Sequence, residues 1–501
     1  MNLSKSRYTK AIQCPKMLWM DQHLPQYFDQ GVLNQSVLDN GSLLGDMAMA
    51  YYGDFVEVAF SEGSKQPMID DTARLLQEAQ EGRGPANIAE ASFSYDGNFC
   101  SVDILRVEDD GVHLVEVKSS THVRDLYKHD MAFQCWVLQH CGLKVKSVSL
   151  MHVNSAYVRQ GELDIAQLFV PEDFTEEVFS MLDQVERNVP LFKATADGEE
   201  EPATPLGCQC KSPYECGYRS WCWRHIPAGS VFELAGITGK KAFALYDQGV
   251  CTMSDALHAS GVKLNPRQSV QAKCADEGLD FLVDKPQIAA FLDTLEYPLY
   301  FLDFETFQPA APLYDGTRPY AQIPTQYSLH VLRSPDAPLE HFDFLAPSVG
   351  DPRRSVAENL VADIPAGSCV IAYNMSFEKN RIKELAEAFP DLAEHLMSLH
   401  QGMRDLLVPF QKGACYFTAM GGSNSIKAVL PALFPHDPQL DYHALEGVHN
   451  GAEASSAFAQ LATMDPEQED KTRSDLLKYC ELDTLAMVKI WQKLIQLAAE
   501  D

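Results

Sequence analysis

Leu302-Asp303-Phe304-Glu305-Thr306, which closes the apolar run Pro298-Leu299-Tyr300-Phe301, decides how the second half of this chain is read. The run predicts a β-strand, and the period-2 geometry of a strand sends Asp303 and Glu305 to one face and Phe304 to the other. Two hard oxygen ligands at that spacing suit Mg²⁺ or Mn²⁺. An isolated D-x-E is equally well explained by solvated acids on an edge strand, so the reading turns on what accompanies it.

Toward the C-terminus, strands are predicted over 326–333 and 341–345, a helix over 353–362, and a strand over 369–373. That last strand runs into Asn374-Met375-Ser376-Phe377-Glu378 and a helix ending near 388. Farther on stand Gly421-Gly422-Ser423-Asn424-Ser425-Ile426-Lys427 and then Tyr479-Cys480-Glu481-Leu482-Asp483, in which Tyr479 and Asp483 are four apart and share a helix face. With D-x-E, N-x-x-F-acid and Y-x-x-x-D in this order, residues 295–501 resemble the DnaQ-like exonucleases of the RNase H-like fold. The resemblance implies a four-acid site for two Mg²⁺ or Mn²⁺ ions, made of Asp303, Glu305, Glu378 and Asp483. It also implies that Tyr479 orients or activates the attacking water, as in the tyrosine subtype, and that the reaction is 3′–5′ exonucleolytic. Glu378 stands where that family usually carries Asp. His449-Asn450-Gly451-Ala452-Glu453 is similar to the last motif of the histidine subtype, with its acid displaced.

In the first half, residues 88–93 alternate, Tyr95-Asp96-Gly97-Asn98 turns, residues 100–107 alternate, Asp109-Asp110-Gly111 turns, and residues 112–118 form a third strand. On this meander lie Glu90, Asp103 and Glu116-Val117-Lys118, the last placing Glu116 and Lys118 on one face. Carboxylates converging from neighbouring strands can hold a metal that activates water, while a lysine stabilises an attacking oxygen or a phosphate. An exposed sheet with ordinary surface charges is the alternative. Residues 1–225 resemble the PD-(D/E)XK nuclease superfamily in its RecB-like form. The resemblance implies that Asp103, Glu116 and Lys118 are the metal and catalytic residues, Glu90 an additional acid and Gln134 the helical glutamine near the lysine. Those nucleases often carry a metal-binding histidine upstream, and Gly41-Ser42-Leu43-Leu44-Gly45-Asp46 has none.

Cys14 lies in a helix expected over 8–22, and Cys208, Cys210, Cys216 and Cys222 fall within fifteen residues of one another. Five residues separate Cys210 from Cys216 and Cys216 from Cys222, unlike the paired C-x-x-C of a zinc ribbon. The pattern resembles the iron–sulphur staple of AddB-type and CRISPR-adaptation nucleases, which implies a 4Fe-4S cluster on Cys14, Cys210, Cys216 and Cys222. Cys208 is then surplus or takes the place of Cys210, and zinc on the local four is the alternative.

The chain's 501 residues exceed one ordinary domain, and 46% hydrophobic residues are enough for more than one core. Residues 226–292 read as short helices punctuated by Gly and Pro, and Gly236-Ile237-Thr238-Gly239-Lys240-Lys241 lacks the P-loop spacing, so no ATP motor is implied. The expected architecture is α/β: a restriction-endonuclease-like domain over 1–225, a helical connector over 226–292 and an RNase H-like domain over 293–501. No apolar run is long enough to span a bilayer and the first residues lack a signal-peptide core, so a soluble cytoplasmic protein without a membrane partner is expected. A net charge of −30 argues against indiscriminate nucleic-acid binding and suits carboxylates gathered around metals. The expected function is a metal-dependent nuclease acting on nucleic acid, DNA ranked ahead of RNA. The alternatives are a nucleic-acid-binding protein with an inactive first domain and an RNA-processing exonuclease. The two modules together resemble a bacterial fusion family.

Overall fold

Alternating side chains and tight turns over residues 87–118 build the centre of the first sheet. The computed structural model describes residues 1–32 and 35–499, which are mixed α/β. Strands β1 (Phe55–Glu57), β2 (Asn87–Tyr95), β3 (Asn98–Glu108), β4 (Gly111–Lys118), β5 (Val145–Val153) and β6 (Phe169–Asp173) lie side by side in sequence order. β1 with β2 and β4 with β5 are parallel, and the other neighbours are antiparallel. The parallel step from β4 to β5 needs a crossover, supplied by the helix Asp125–His140. Residues 130–138 of that helix are all buried, so it lies inside the unit rather than on its surface.

The helix expected over 8–22 is two helices, Lys5–Gln13 and Lys16–His23, because Pro15 cannot continue the hydrogen-bond ladder and forces Cys14 into an extended conformation (φ −161°, ψ 109°). The first of them is seated by Tyr8, whose ring stacks on Phe133 at 4.8 Å and meets Phe192 at 5.6 Å. That seat carries Lys5 over the sheet.

The second sheet has the order β10-β9-β8-β11-β12. Its strands are β8 (Leu299–Phe307), β9 (Ile323–Leu332), β10 (Glu340–Leu345), β11 (Cys369–Ala372) and β12 (Met403–Asp405), and β7 (Phe281–Val283) pairs separately with β13 (Cys415–Phe417). β8, β9 and β10 form an antiparallel meander, whereas β11 and β12 run parallel to β8. Every residue of β9 is buried, and its alternation sorts them by face. The Tyr327 hydroxyl donates to Asp363 at the end of the helix Arg353–Asp363, while Ser328 and His330 bond Thr484 of the C-terminal helix Pro466–Ala499. Asp303 is registered opposite Ser328 and Glu305 opposite Gln326. Directly opposed residues share a face, so both acids look toward the C-terminal helix.

Two groupings differ from the domain boundaries expected from sequence. The chain divides into Met1–His225 with Pro309–Ala321, and Ile226–Gln308 with Gln322–Asp501. Residues 226–292 do not stand apart, because the small cluster around Val231, Leu245 and Met253 is too slight a core. Instead β7 pairs with β13, and Cys274 and Ile288 enter the larger core with β8. The segment Pro309–Ala321 joins the first unit through Arg159, which donates to the carbonyls of Pro312 and Leu313, and through the Tyr320 hydroxyl on the Ser119 carbonyl. Among the described residues no helix is long and apolar enough to cross a membrane.

Phe301 is fully buried on β8, with its ring 5.8 Å from Trp491. Phe301→Ala should remove about 3–5 kcal/mol of protection from β8 and β9 amides in native-state hydrogen exchange, leaving β2–β5 unchanged. A loss below about 1 kcal/mol would show that this position tolerates a cavity.

Candidate functional site

The end of β8 and the C-terminal helix bring Asp303, Glu305 and Asp483 together, with one carboxylate oxygen from each within 4.8 Å of the others. Glu378 arrives from a different direction. β11 lies parallel to β8 and ends in a sharp turn at Asn374 (φ 65°), whose amide donates to Asp405 Oδ1 at 2.9 Å. The helix Ser376–Ala388 then starts with Glu378 in its first turn. Glu378 is buried, its Oε2 has no hydrogen-bond partner, and its charge raises both Asp303 and Glu305. All four acids predicted from sequence therefore face one region, three in close contact and Glu378 at its margin.

Burial, reinforced by neighbouring acids, pushes Glu305 and Glu378 up to about 8, and burial pushes Asp483 up to about 6. Asp303 is raised well above the usual carboxylate range by burial and by Asp483, Glu305 and Glu378. The relief comes from Lys427, which lowers both Glu305 and Asp483. Its ammonium donates to the Tyr479 hydroxyl at 3.0 Å and to the His449 carbonyl at 2.9 Å. The Tyr479 hydroxyl also bonds Asp483, and Tyr442 donates to Asp483 Oδ1 at 2.6 Å. Burial and the acids push both phenols up, so they stay protonated. An all-oxygen, electron-rich set with an orphaned buried carboxylate oxygen fits hard divalent cations. Lys427 and Tyr442 were not singled out by sequence, since neither has a local spacing that ties it to the acids. His449 takes another role: its ring and backbone bond Glu453 at the start of the helix Gly451–Gln460.

In the first unit the sheet opens where the acids lie. β2 pairs regularly with β3 on either side of Glu90, which itself takes φ 54° opposite Asp103. β3 and β4 part beyond Ile104, and Asp103 Oδ2 accepts from the Val117 amide at 2.7 Å. Lys118 donates to Glu116 at 2.5 Å and to Asp130 at 2.8 Å, and Gln134 donates to Glu116 at 2.6 Å. Asp130 precedes Gln134 by one helical turn, which was the available sequence signal for it. Lys5 was not foreseeable: its ammonium spans Asp103 at 3.0 Å and Glu116 at 3.2 Å, from about a hundred residues away. Burial opposes ionisation of Glu116, but Lys118 and Lys5 hold it well below its usual range. Burial followed by Asp103 pushes Glu90 up to about 7, and Lys5 offsets only part of that rise. The cavity over these groups is also lined by Asp46, on the stretch 41–46 that carries no histidine, and by Glu57. Its carboxylates fit a divalent cation, with the Lys5 ammonium bridging two of them.

Cys14, Cys210, Cys216 and Cys222 line one cavity with Met17, Met20 and Tyr218, whereas Cys208 is exposed outside it. Among the described residues no three of the four sulfurs all lie within 4.8 Å of one another, against about 3.8 Å between sulfurs in a tetrathiolate zinc site. Burial raises the Cys14 and Cys222 thiols and pushes Cys216 up to about 11. A soft, thiol-only donor set lining one cavity fits an iron–sulphur cluster or zinc.

Residues 300–425 match a family model described as a domain of unknown function, DUF2779, covering Asp303, Glu305 and Glu378. The chain is 28% identical over 211 residues to a protein of Mycoplasma pneumoniae described as an uncharacterized MG366 homolog, covering 39% of this chain and 32% of that protein. It is 26% identical over 206 residues to the uncharacterized MG366 of Mycoplasma genitalium, covering 38% and 31%. The matched segment thus spans about a third of the curated relatives. No solved structure matches the chain.

The raised carboxylates set the pH behaviour. Glu305 and Glu378 move from 4.5 to about 8 on folding, so the folded state holds their protons more tightly than the unfolded state. The stability this contributes is complete below the unfolded value and is lost as pH rises through the folded one. Chelator-treated protein should therefore melt at progressively lower temperature from about pH 5 to pH 8, while added Mn²⁺ widens the gap over the same window. Glu305→Gln should flatten both trends, and a gap independent of pH would contradict the assignment.

Proposed function

We propose that the C-terminal unit hydrolyses phosphodiester bonds of nucleic acid from a 3′ end, using Mg²⁺ or Mn²⁺ held by Asp303, Glu305, Glu378 and Asp483. The observation that carries this reading is the convergence of acids from β8, the C-terminal helix and the helix after β11, with too little positive charge to balance them. The sheet order, an antiparallel meander followed by parallel strands, supports an RNase H-like fold. When bound, such ions supply Lewis-acid stabilisation of the entering and leaving oxygens of an in-line displacement. The Tyr479 phenol, fixed between Lys427 and Asp483 and kept neutral, orients a water by hydrogen bonding rather than removing its proton. Lys427 places positive charge beside the acids, where a phosphate gathers charge during displacement. Lys427 lines a cleft together with Phe434, His436, His443 and His449, rings that suit stacking with unpaired bases.

The first unit supports a second, restriction-endonuclease-like site on Glu90, Asp103, Glu116, Lys118 and Gln134. A binding platform without catalysis is favoured by one observation: Lys5 already spans Asp103 and Glu116. The four cavity-lining cysteines support a 4Fe-4S cluster tying the turn at Cys14 to the segment after the helix Thr175–Asp197. Thirteen cysteines, none in a disulfide, suit a reducing, cytoplasmic setting.

With end-labelled single- and double-stranded DNA and RNA, Asp303→Asn should cut 3′-terminal nucleotide release by more than about 100-fold. Tyr479→Phe should lower kcat while largely preserving Mn²⁺ affinity, because a hydroxyl and not a ligand is lost. Lys118→Ala should leave 3′ release intact and remove internal or opposite-end cleavage. Full 3′ activity in Asp303→Asn together with none in Lys118→Ala would transfer the reaction to the first unit, and an RNA-only activity would select the RNA-processing reading. Protein purified without oxygen should carry about four iron and four sulfide per chain, lost in Cys216→Ala. One zinc without iron or sulfide would reject the cluster.

A further inference from the structure

The face of β9 and β10 that meets the C-terminal helix holds a polar cluster distinct from the four acids. His330 and His341 are registered directly opposite each other, so both imidazoles project to one face, with ring centres 4.6 Å apart. Glu481 reaches the same place from the C-terminal helix, its Oε1 3.9 Å from His341 Nδ1. One ligand atom from each of the three lies within 4.8 Å of the other two.

We propose that His330, His341 and Glu481 form a Zn²⁺ site that clamps the β9–β10 hairpin to the C-terminal helix. Two imidazole nitrogens and one carboxylate are a borderline donor set that suits zinc, unlike the all-oxygen set around Asp303. The rings are already aimed. His330 Nδ1 lies 2.8 Å from Thr484 Oγ1, which lies 2.7 Å from Ser328 Oγ, which in turn lies 2.9 Å from His341 Nε2. Ser328 and Thr484 are fully buried. This hydroxyl chain occupies one nitrogen of each ring and leaves His330 Nε2 and His341 Nδ1 as the ligand atoms, the outer-shell arrangement that orients metal-binding imidazoles. An ordinary ion pair explains the cluster less well, since Glu481 Oε1 stands 3.9 Å from His341 Nδ1, beyond hydrogen-bond distance, and the second imidazole lies beside the first. Glu481 is exposed, giving the ion an entry side and room for water as a further ligand. The clamp also has a consequence for its neighbours: Glu481 lies midway between Tyr479 and Asp483 on the same helix, and Ser328 is registered opposite Asp303.

The test uses metal-stripped full-length protein, equilibrium dialysis against Zn²⁺, zinc X-ray absorption and thermal melting. Wild type should take up an equivalent of zinc with imidazole backscattering and gain thermal stability. Asp303→Asn should keep both effects. His341→Ala and Glu481→Gln should lose that equivalent, with affinity falling more than about 100-fold and no zinc-induced gain in Tm. Glu481→Gln alters an exposed side chain, so it remains informative if His341→Ala does not fold. Zinc uptake and stabilisation unchanged in Glu481→Gln, or wild-type zinc surrounded only by sulfur, would overturn the site.

Discussion

Four carboxylates held together away from bulk water repel one another, and the arrangement of the C-terminal unit follows from that cost. Asp303 and Glu305 share the face of β8 that looks at the C-terminal helix, Asp483 meets them from that helix, and Glu378 approaches from the turn after β11. Burial raises them all, the neighbouring acids add to it at Asp303 and Glu305, and Lys427 offsets only part of the excess at Glu305 and Asp483. A protein keeps such a group of acids when something of opposite charge joins it. Divalent cations have the charge and the preference for oxygen to do so.

The first unit meets the same electrostatic problem with its own side chains. Lys118 pairs with Glu116 and Asp130, and Lys5 spans Asp103 and Glu116, so Glu116 is held low before any ion arrives, while burial and Glu116 still raise Asp103 and Asp130. Glu90, strained at φ 54° and, among the described residues, without an ammonium in hydrogen-bond contact, is raised to about 7. A divalent cation entering this site has to compete with the Lys5 ammonium, whereas one entering the C-terminal site relieves repulsion. That difference makes the C-terminal unit the stronger candidate for metal-dependent chemistry.

Local spacing explains which parts were legible in the sequence. Period-2 geometry placed Asp303 and Glu305 on one face, the four-residue step placed Tyr479 with Asp483, and alternation with Gly-containing turns marked the three central strands of the first sheet. The trio Cys210, Cys216 and Cys222 stood out by spacing, Cys14 entered only through the resemblance to iron–sulphur-stapled nucleases, and all four line one cavity. What escaped depends on register and on contacts between distant segments. Lys5 reaches Asp103 because Tyr8 docks on Phe133, Lys427 reaches Tyr479 across some fifty residues, and His330 meets His341 only because β9 and β10 pair in one register. The excursion of Pro309–Ala321 into the first unit rests on backbone contacts of Arg159 and Tyr320, which leave no periodic mark.

Locating manganese by anomalous scattering in crystals of the full chain tests most directly whether the four acids form a metal centre. Two sites about 4 Å apart are expected, with Asp303 touching both and Glu305, Glu378 and Asp483 completing the oxygen shell. Manganese confined to Asp103 and Glu116, with none in contact with Asp303, would contradict it.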